Sequence, residues 1–275
     1  MAFTIVHPES HQTSWVPILA DQVCYIGQIV HVDSATPLEG VFALDTAGAE
    51  SNLTNYDIPM GVIIGFNATA GNMVHNTTYH CQQMTAPSVT GTHDSTTQFR
   101  GVEGPWSRGD KMAMAHIHHI DPTTVIRGDI FDTTYGTAVS EVLVTTGCGG
   151  DGIGCTTAAG TATLVAQFGT IYMRSGANMG IYRTLTNTST TAQTWLQAMP
   201  HDVAVGDSAL IVGLRTHGTC RMDIDAAAMF VDANHDHTTN WFNINVRRLD
   251  LSTPGKEYVE FTFDAANFEA HRGND

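Results

Sequence analysis

Histidine is the residue type whose number and spacing could do chemistry in this chain. Fourteen are present, and the densest run is His116-Ile117-His118-His119. On a strand, residues two apart share a face, so His116 and His118 lie together and His119 points away. Two imidazoles on one face can ligate zinc or another borderline metal. His235 and His237 repeat the spacing. These four are the candidate metal ligands. No carboxylate completes a recognised ligand spacing around them. The plainer reading is polar strand and loop histidines, and no cofactor is expected.

Other chemistry finds less support. Asp223, Asp225, Asp232 and Asp236 form an acidic set, but an EF-hand loop needs ligands at fixed steps and a glycine at its sixth position, which are absent. A glycosidase pair depends on a separation in space that spacing along the chain does not give. No Gly-x-Ser-x-Gly, Ser-x-x-Lys or phosphate-loop lysine motif occurs. Gly149-Gly-Asp-Gly-Ile-Gly154 is glycine-rich but lacks that lysine, and reads as a hairpin tip. Arg108-Gly-Asp110 and Arg127-Gly-Asp129 spell an adhesion tripeptide, yet each sits where a turn should lead into a strand. Nothing here assigns an enzyme.

The five cysteines are Cys24, Cys81, Cys148, Cys155 and Cys220, with no Cys-x-x-Cys. Cys148 and Cys155 flank the glycine-rich tip. The N-terminus has no basic segment followed by a long apolar one, so no signal peptide is expected and reduced thiols are the default. A particle released into an oxidising medium could still bridge the pair. On the same ground the Asn-x-Ser/Thr triplets at Asn52, Asn67, Asn76 and Asn187 mark polar loops.

The elements that must position these residues read as strands. Four short apolar runs fall between residues 168 and 215: Thr170–Arg174, Gly180–Leu185, Thr194–Ala198 and Ser208–Leu214. Glycine, asparagine and aspartate breaks separate them, the spacing of an antiparallel barrel or sandwich. Further strands are expected over Val23–Val32 (bent at Gly27), Gly40–Leu44, Ile58–Phe66, Lys111–Ile120, Glu141–Thr146, Met222–Val231 (where a short helix over Asp223–Val231 competes), Trp241–Val246 and Glu257–Phe263. A Gly-Asp turn before an apolar strand recurs at 109–110, 128–129 and 206–207. The fold class is therefore all-β, as two barrel- or sandwich-like domains with long loops and little helix. Residues 1–16 read as an N-terminal arm suited to lying on a neighbour, and 17–135 as an N-terminal β domain. That domain carries a long loop over 67–105, with a hairpin near Asn76–Gln82. The seam falls in Phe131–Ser140. Residues 136–265 form a C-terminal β-barrel domain, and 266–275 a polar tail.

Composition bounds the partners. Only 14% of residues are charged, and net charge is −15 with 12 basic side chains against 27 acidic ones. Lys111 and Lys256 are the only lysines. Nucleic acid and anionic membranes need basic side chains to displace counterions, so both are excluded as partners. Thr, Ser, Asn and Gly must supply the polar surface, which suits β structure and protein–protein contact, since interface cores are depleted in charge. Trp15, Tyr25, Trp106 and Trp241 are the candidate interface anchors, because aromatics concentrate in interface cores. Trp195 reads better as core.

Several patterns carry a resemblance. Tyr25-Ile-Gly-Gln-Ile-Val30, Ile58-Pro-Met-Gly-Val-Ile-Ile-Gly65 and Asp121-Pro-Thr-Thr-Val-Ile-Arg127 look like segments of tailed-bacteriophage virion structural proteins. So do Arg174-Ser-Gly-Ala-Asn-Met-Gly-Ile-Tyr-Arg183 and Pro200-His-Asp-Val-Ala-Val-Gly-Asp207. The similarity is scattered over residues 20–265. It implies an all-β, non-enzymatic capsid decoration (cement) protein, made in the host cytoplasm and placed on the virion surface. Its partners would be the major capsid protein and itself, as a homotrimer. The alternatives are another virion part (a head fibre, tail or adaptor protein, with glycan binding) or a histidine-ligated metal enzyme.

Overall fold

A computed structural model describes residues 2–8, 12–17, 23–32, 41–43, 58–66, 74–75, 83–85, 114–132, 139–148, 152–158, 169–186, 191–222, 224–225, 229–233 and 242–269. Over these the chain is all-β, with one short helix, α1 (Ala266–Glu269). The largest sheet has seven strands. Its order is β17 (Gly218–Met222), β20 (Phe242–Asp250), β21 (Tyr258–Phe263), β10 (Ile126–Phe131), β19 (Phe230–Asp232) and β18 (Ile224–Asp225), with β1 (Thr4–Ile5) also on β10. A six-stranded sheet runs β14 (Tyr182–Thr184), β13 (Thr170–Met173), β16 (Ser208–Val212), β11 (Val142–Thr146), β12 (Gly154–Thr157) and β15 (Ala192–Thr194). A five-stranded sheet runs β2 (Thr13–Pro17), β9 (Met114–His119), β6 (Ile58–Phe66), β4 (Ile29–Val32) and β5 (Val41–Ala43). The smallest joins β3 (Val23–Tyr25), β8 (Gln83–Thr85) and β7 (Val74–His75).

The six-stranded sheet closes on itself. A bridge joins Leu185 to Trp195, beyond its two edge strands β14 and β15. Thr186 N–H donates to Thr194 O at 2.9 Å, and Leu196 N–H to Thr184 O at 3.1 Å. Closure removes the exposed edges that would invite pairing with other chains. Alternation fills the interior: Val142 and Val144, Ile171 and Met173, Ala209 and Ile211 point inward with Leu185 and Trp195. Trp195 is core, with its indole N–H donating to Gly152 O at 2.9 Å.

The other face of the same strands is buried too. Tyr172, Leu210 and Val212 pack with Ile244, Val246, Phe261 and Phe263 of the seven-stranded sheet, and with Ile29 and Val62 of the five-stranded one. This is why β13 and β16 read as near-continuous apolar runs: each faces two cores.

The barrel is an insertion. Its strands span residues 142–212, and the chain enters from β10 and leaves toward β17, both in the seven-stranded sheet. Entry and exit are stitched side by side: Gly213 N–H donates to Ala233 O at 2.9 Å, and Ala233 N–H to Phe131 O at 2.8 Å. The boundary expected over 131–140 is therefore the start of the insertion, and strands from both sides of it share one sheet. Strands β17 to β21 do not belong to the barrel. They pair with β10, through β21 antiparallel and β19 parallel, because long-range pairing decides sheet membership and leaves no local mark.

The N-terminal arm is not free to reach a neighbour. Phe3 is fully buried in the main core, β1 pairs with β10, and β2 pairs with β9. Two glycines make room for it. A Cβ on Gly27, which sits at φ +89°, would lie 2.2 Å from the Ala2 Cβ, and one on Gly128 would lie 2.6 Å from the Phe3 ring. Gly27 also ends β3 in the sharp bend expected, splitting Val23–Val32 into two strands. Gly128 overturns an expectation: Arg127-Gly-Asp129 is no turn but the middle of β10, and its glycine accommodates an aromatic ring.

Smaller departures follow the same logic. Ile58–Phe66 is a strand as read. Thr194–Ala198 begins its turn early, since β15 ends at Thr194. Within Asp223–Val231, β18 and β19 pair as a hairpin, so the helix alternative fails there. The tail starts with α1, whose Phe268 meets Phe263 edge-on at 6.5 Å between ring centroids. The remainder of the tail, the adhesion tripeptide at 108–110 and most of loop 67–105 lie outside the described residues; within that loop β7 and β8 pair around Asn76–Gln82.

One ion pair fastens the barrel to the sheet. The Arg174 guanidinium, just past β13, donates to the Glu257 carboxylate just before β21, and both side chains are almost wholly buried. Glu141 stands 3.9 Å from the Arg174 Nε. Truncating Arg174 leaves the Glu257 carboxylate buried without its cation, and truncating Glu257 leaves the buried guanidinium only the more exposed Glu141. Glu257→Ala is expected to cost about 3–5 kcal/mol in urea unfolding, and the apolar pair Arg174→Met with Glu257→Leu to recover most of it. A single substitution without measurable cost would show that the pair fastens nothing.

Candidate interaction surfaces

The histidine run lies on β9, between β2 and β6 in the five-stranded sheet. Register puts Trp15 opposite His116 and Thr13 opposite His118. The two rings stack, with centroids 4.7 Å apart and planes 13° from parallel. His119 turns to the opposite face, as alternation requires, and shares a hydrogen bond of 2.7 Å with Ser14 Oγ. Beyond His116 the next strand offers Gly65, where an added Cβ would find only the His116 Cβ, 3.9 Å away. Trp15 remains 38% exposed. The row Trp15–His116–Gly65 is a flat aromatic step, not a ligand cluster. Among the described residues no three His, Cys, Asp or Glu side chains gather closely enough to hold a metal ion.

His235, His237, Trp106 and Trp241 lie outside the described residues. Tyr25 ends β3, and its backbone N–H donates to Gln28 Oε1 at 2.7 Å. It is half-buried beside the Gly27 bend, and nothing groups it with Trp15.

A second surface escaped the sequence reading. The chain enters and leaves the barrel at one end; the described residues at the other end are 147–148, 152–153, 175–181 and 196–207. These loops are tied together. Asn178 Nδ2 donates to His201 O at 2.8 Å, and Asn178 Oδ1 accepts from His201 N–H at 3.0 Å. Arg183 donates to Ala198 O at 2.9 Å and to Gln197 O at 3.0 Å. Met199 N–H donates to Gly152 O at 3.0 Å, and Cys148 N–H to Val203 O at 3.1 Å. Asp207 Oδ2 accepts from Ala204 N–H at 3.0 Å, closing the Gly206-Asp207 turn at φ +93° for the glycine.

This pinned end holds apolar side chains in solvent. Met179 and Val205 are each 69% exposed and Leu196 63%, with Ile153 nearby. Scattered exposed apolar residues are ordinary; several on one rigid loop cluster mark a contact site. The signal was present in Ala-Asn-Met-Gly and Ala-Val-Gly-Asp. Turn residues are normally polar, and here the tip position of each turn is apolar.

The outer face of the seven-stranded sheet is the opposite case. Arg127, Glu260 and Arg248 stand in one cross-strand row. The Arg127 guanidinium lies 3.5 Å from the Tyr258 ring centroid and Arg248 lies 5.4 Å from it. Asp250 accepts from Ser252 Oγ at 2.6 Å, from Ser252 N–H at 3.0 Å and from Arg248 at 3.1 Å. The Ser252 hydroxyl, with smaller help from Arg248, holds the Asp250 carboxyl below its usual range. In the loop before β10, Asp121 is held down in the same way, first by the Thr123 hydroxyl. Arg248 and Asp250 are thus paired within the chain.

Both aspartates have folded-state affinities for protons below the ordinary value of 3.8. Their contribution is thus full above the unfolded pKa and is lost as pH falls through the lowered folded one. Unfolding stability is expected to drop below about pH 4. Asp121→Asn with Asp250→Asn should flatten that slope in denaturant titrations run from pH 6 to pH 2, and an unchanged slope would remove both groups from the account.

The metal reading has its own check. Elemental analysis of the purified protein is expected to find no stoichiometric metal, and a chelator to leave the thermal midpoint in place; a bound equivalent lost with His116→Ala would reverse this.

No helix among the described residues is long and apolar enough to cross a membrane. Comparison with protein-family models, with curated proteins and with solved structures finds no match, so the surfaces are read from their own chemistry.

Proposed function

We propose that the chain is a non-enzymatic virion structural protein, a decoration protein that binds the assembled head of a tailed phage and stabilises it. The observation that carries this reading is the pinned apolar end of the inserted barrel. It is a rigid knob with Met179, Val205 and Leu196 presented to solvent. Pre-ordered loops lose little entropy on docking. Low charge, net acidity and closed barrel edges fit a component that meets protein surfaces rather than nucleic acid. Many identical weak contacts over a head lattice would add through multivalency. The major capsid protein is the partner proposed, with self-association as a trimer.

A second reading rests on a different observation. The Trp15–His116 step, flanked by Gly65, is a surface on which a sugar ring could stack. That favours a fibre, tail or adaptor component with glycan binding.

Co-sedimentation with assembled heads separates the two. Met179→Asp with Val205→Asp is expected to weaken head binding roughly tenfold or more without moving the thermal midpoint, while Trp15→Ala leaves it intact. Full-length protein that binds no head overturns the decoration reading. Glycan binding lost with Trp15→Ala would support the second. Deleting residues 1–16 is not a usable probe, because it removes Phe3, β1 and β2 from the fold.

A further inference from the structure

The pinned end of the barrel also carries two thiols. Cys155 lies in β12 and points into the barrel core, and Cys148 follows β11 and packs against the same core cluster. Both are free thiols here. The hairpin brings them together. Thr146 pairs with Thr156 at the end of the β11–β12 ladder, Cys155 lies one residue and Cys148 two residues beyond that pair, and both side chains meet the same barrel core.

We propose that Cys148 and Cys155 form a redox site, closing to a disulfide across the free end of the barrel when the protein meets an oxidising medium. The oxidant class is a small-molecule disulfide. Cys148, the more accessible thiol, attacks one sulfur of it as the thiolate, forming a mixed disulfide and releasing one small thiol. Cys155 then attacks Cys148 Sγ, the protein disulfide forms, and the second small thiol leaves. Two protein thiols are oxidised, the small disulfide is reduced to two thiols, and the two protons are taken up by them.

The roles follow from the surroundings. Burial first, and then the neighbouring Cys148, push the Cys155 thiol up to about 12. Buried in the core, it cannot meet the small disulfide first, and it attacks second from beside Cys148, where proximity offsets its low thiolate fraction. Cys220, the other described free cysteine, belongs to the seven-stranded sheet on β17, and burial raises its pKa as well. The bridge would tie residue 148, already held by Val203, to β12, and so lock the hairpin tip that carries the exposed Ile153. This holds whatever the partner of that tip is, so it stands or falls independently of the head-binding reading.

The experiment exposes native full-length protein to oxidised glutathione, traps remaining thiols with an alkylating agent and reads intact mass and peptide map. The expected result is loss of two hydrogens, a Cys148–Cys155 linked peptide, and a thermal midpoint raised by roughly 5–10 °C. Cys148→Ser, at a partly exposed position, should abolish all three and keep the reduced midpoint. A fully alkylated native pair, a stable glutathione adduct on Cys148, or a link to another cysteine would overturn the proposal. So would a bridge that lowers the midpoint.

Discussion

The Arg174–Glu257 pair is the constraint on which the arrangement of the two main bodies depends. It joins the end of a barrel strand to the start of a central strand of the seven-stranded sheet, and little solvent reaches it. A buried pair contributes little net free energy, since desolvating both charges offsets their attraction, yet it tolerates the loss of one partner poorly. The consequence is directional. The barrel can sit against the sheet only where the guanidinium meets the carboxylate. Nearby, the Leu251 N–H donates to the Tyr182 hydroxyl at 3.0 Å, and the Tyr172 ring packs at 4.5 Å from that of Tyr182. The polar contacts select one seating for a surface that apolar burial alone would hold less specifically.

That seating explains the composition. Strands with a core on each face have no outward positions for charge, so β13 and β16 are apolar almost throughout. Glycine is needed where chain meets chain. Gly27 and Gly128 admit the N-terminal segment, and a Cβ on Gly147 would lie 2.4 Å from Val203 O. Some of the charge on the sheet faces stands in cross-strand rows, as Arg127, Glu260 and Arg248 do.

The fold class was legible in the chain because alternation and turn chemistry are local. Ile58–Phe66, Val41–Ala43 within Gly40–Leu44, and the Gly206-Asp207 turn were readable for that reason. Sheet membership was not. Residues 126–131 contain the same Arg-Gly-Asp triplet as a turn would, but the residue that settles the matter is Phe3, more than a hundred positions earlier. The insertion was hidden likewise, since the link from Gly213 through Ala233 to Phe131 joins three separate parts of the chain. Of the site, the shared face of His116 and His118 could be read from spacing, and Trp15 from its residue type alone. That a tryptophan would stack on His116 depended on the pairing of β2 with β9.

An insertion that enters and leaves at one end has a second end closed only by loops, one of which starts at Arg174, the residue that meets Glu257 of the seven-stranded sheet. Beyond that contact its loops need only connect strands, and polar turns would suffice for that. Here they are cross-tied by Asn178, Arg183 and Asp207, which fixes backbone geometry, and yet they expose Met179, Val205 and Leu196. Rigid backbone and solvated apolar side chains together are hard to account for by stability. The side chains bury little in the isolated chain, and their exposure favours association. On the outer face of the seven-stranded sheet, by contrast, Arg127, Glu260 and Arg248 stand in one cross-strand row. The barrel end departs from that pattern, and its placement away from the Gly213–Ala233–Phe131 stitch lets it be covered without disturbing the cores behind it.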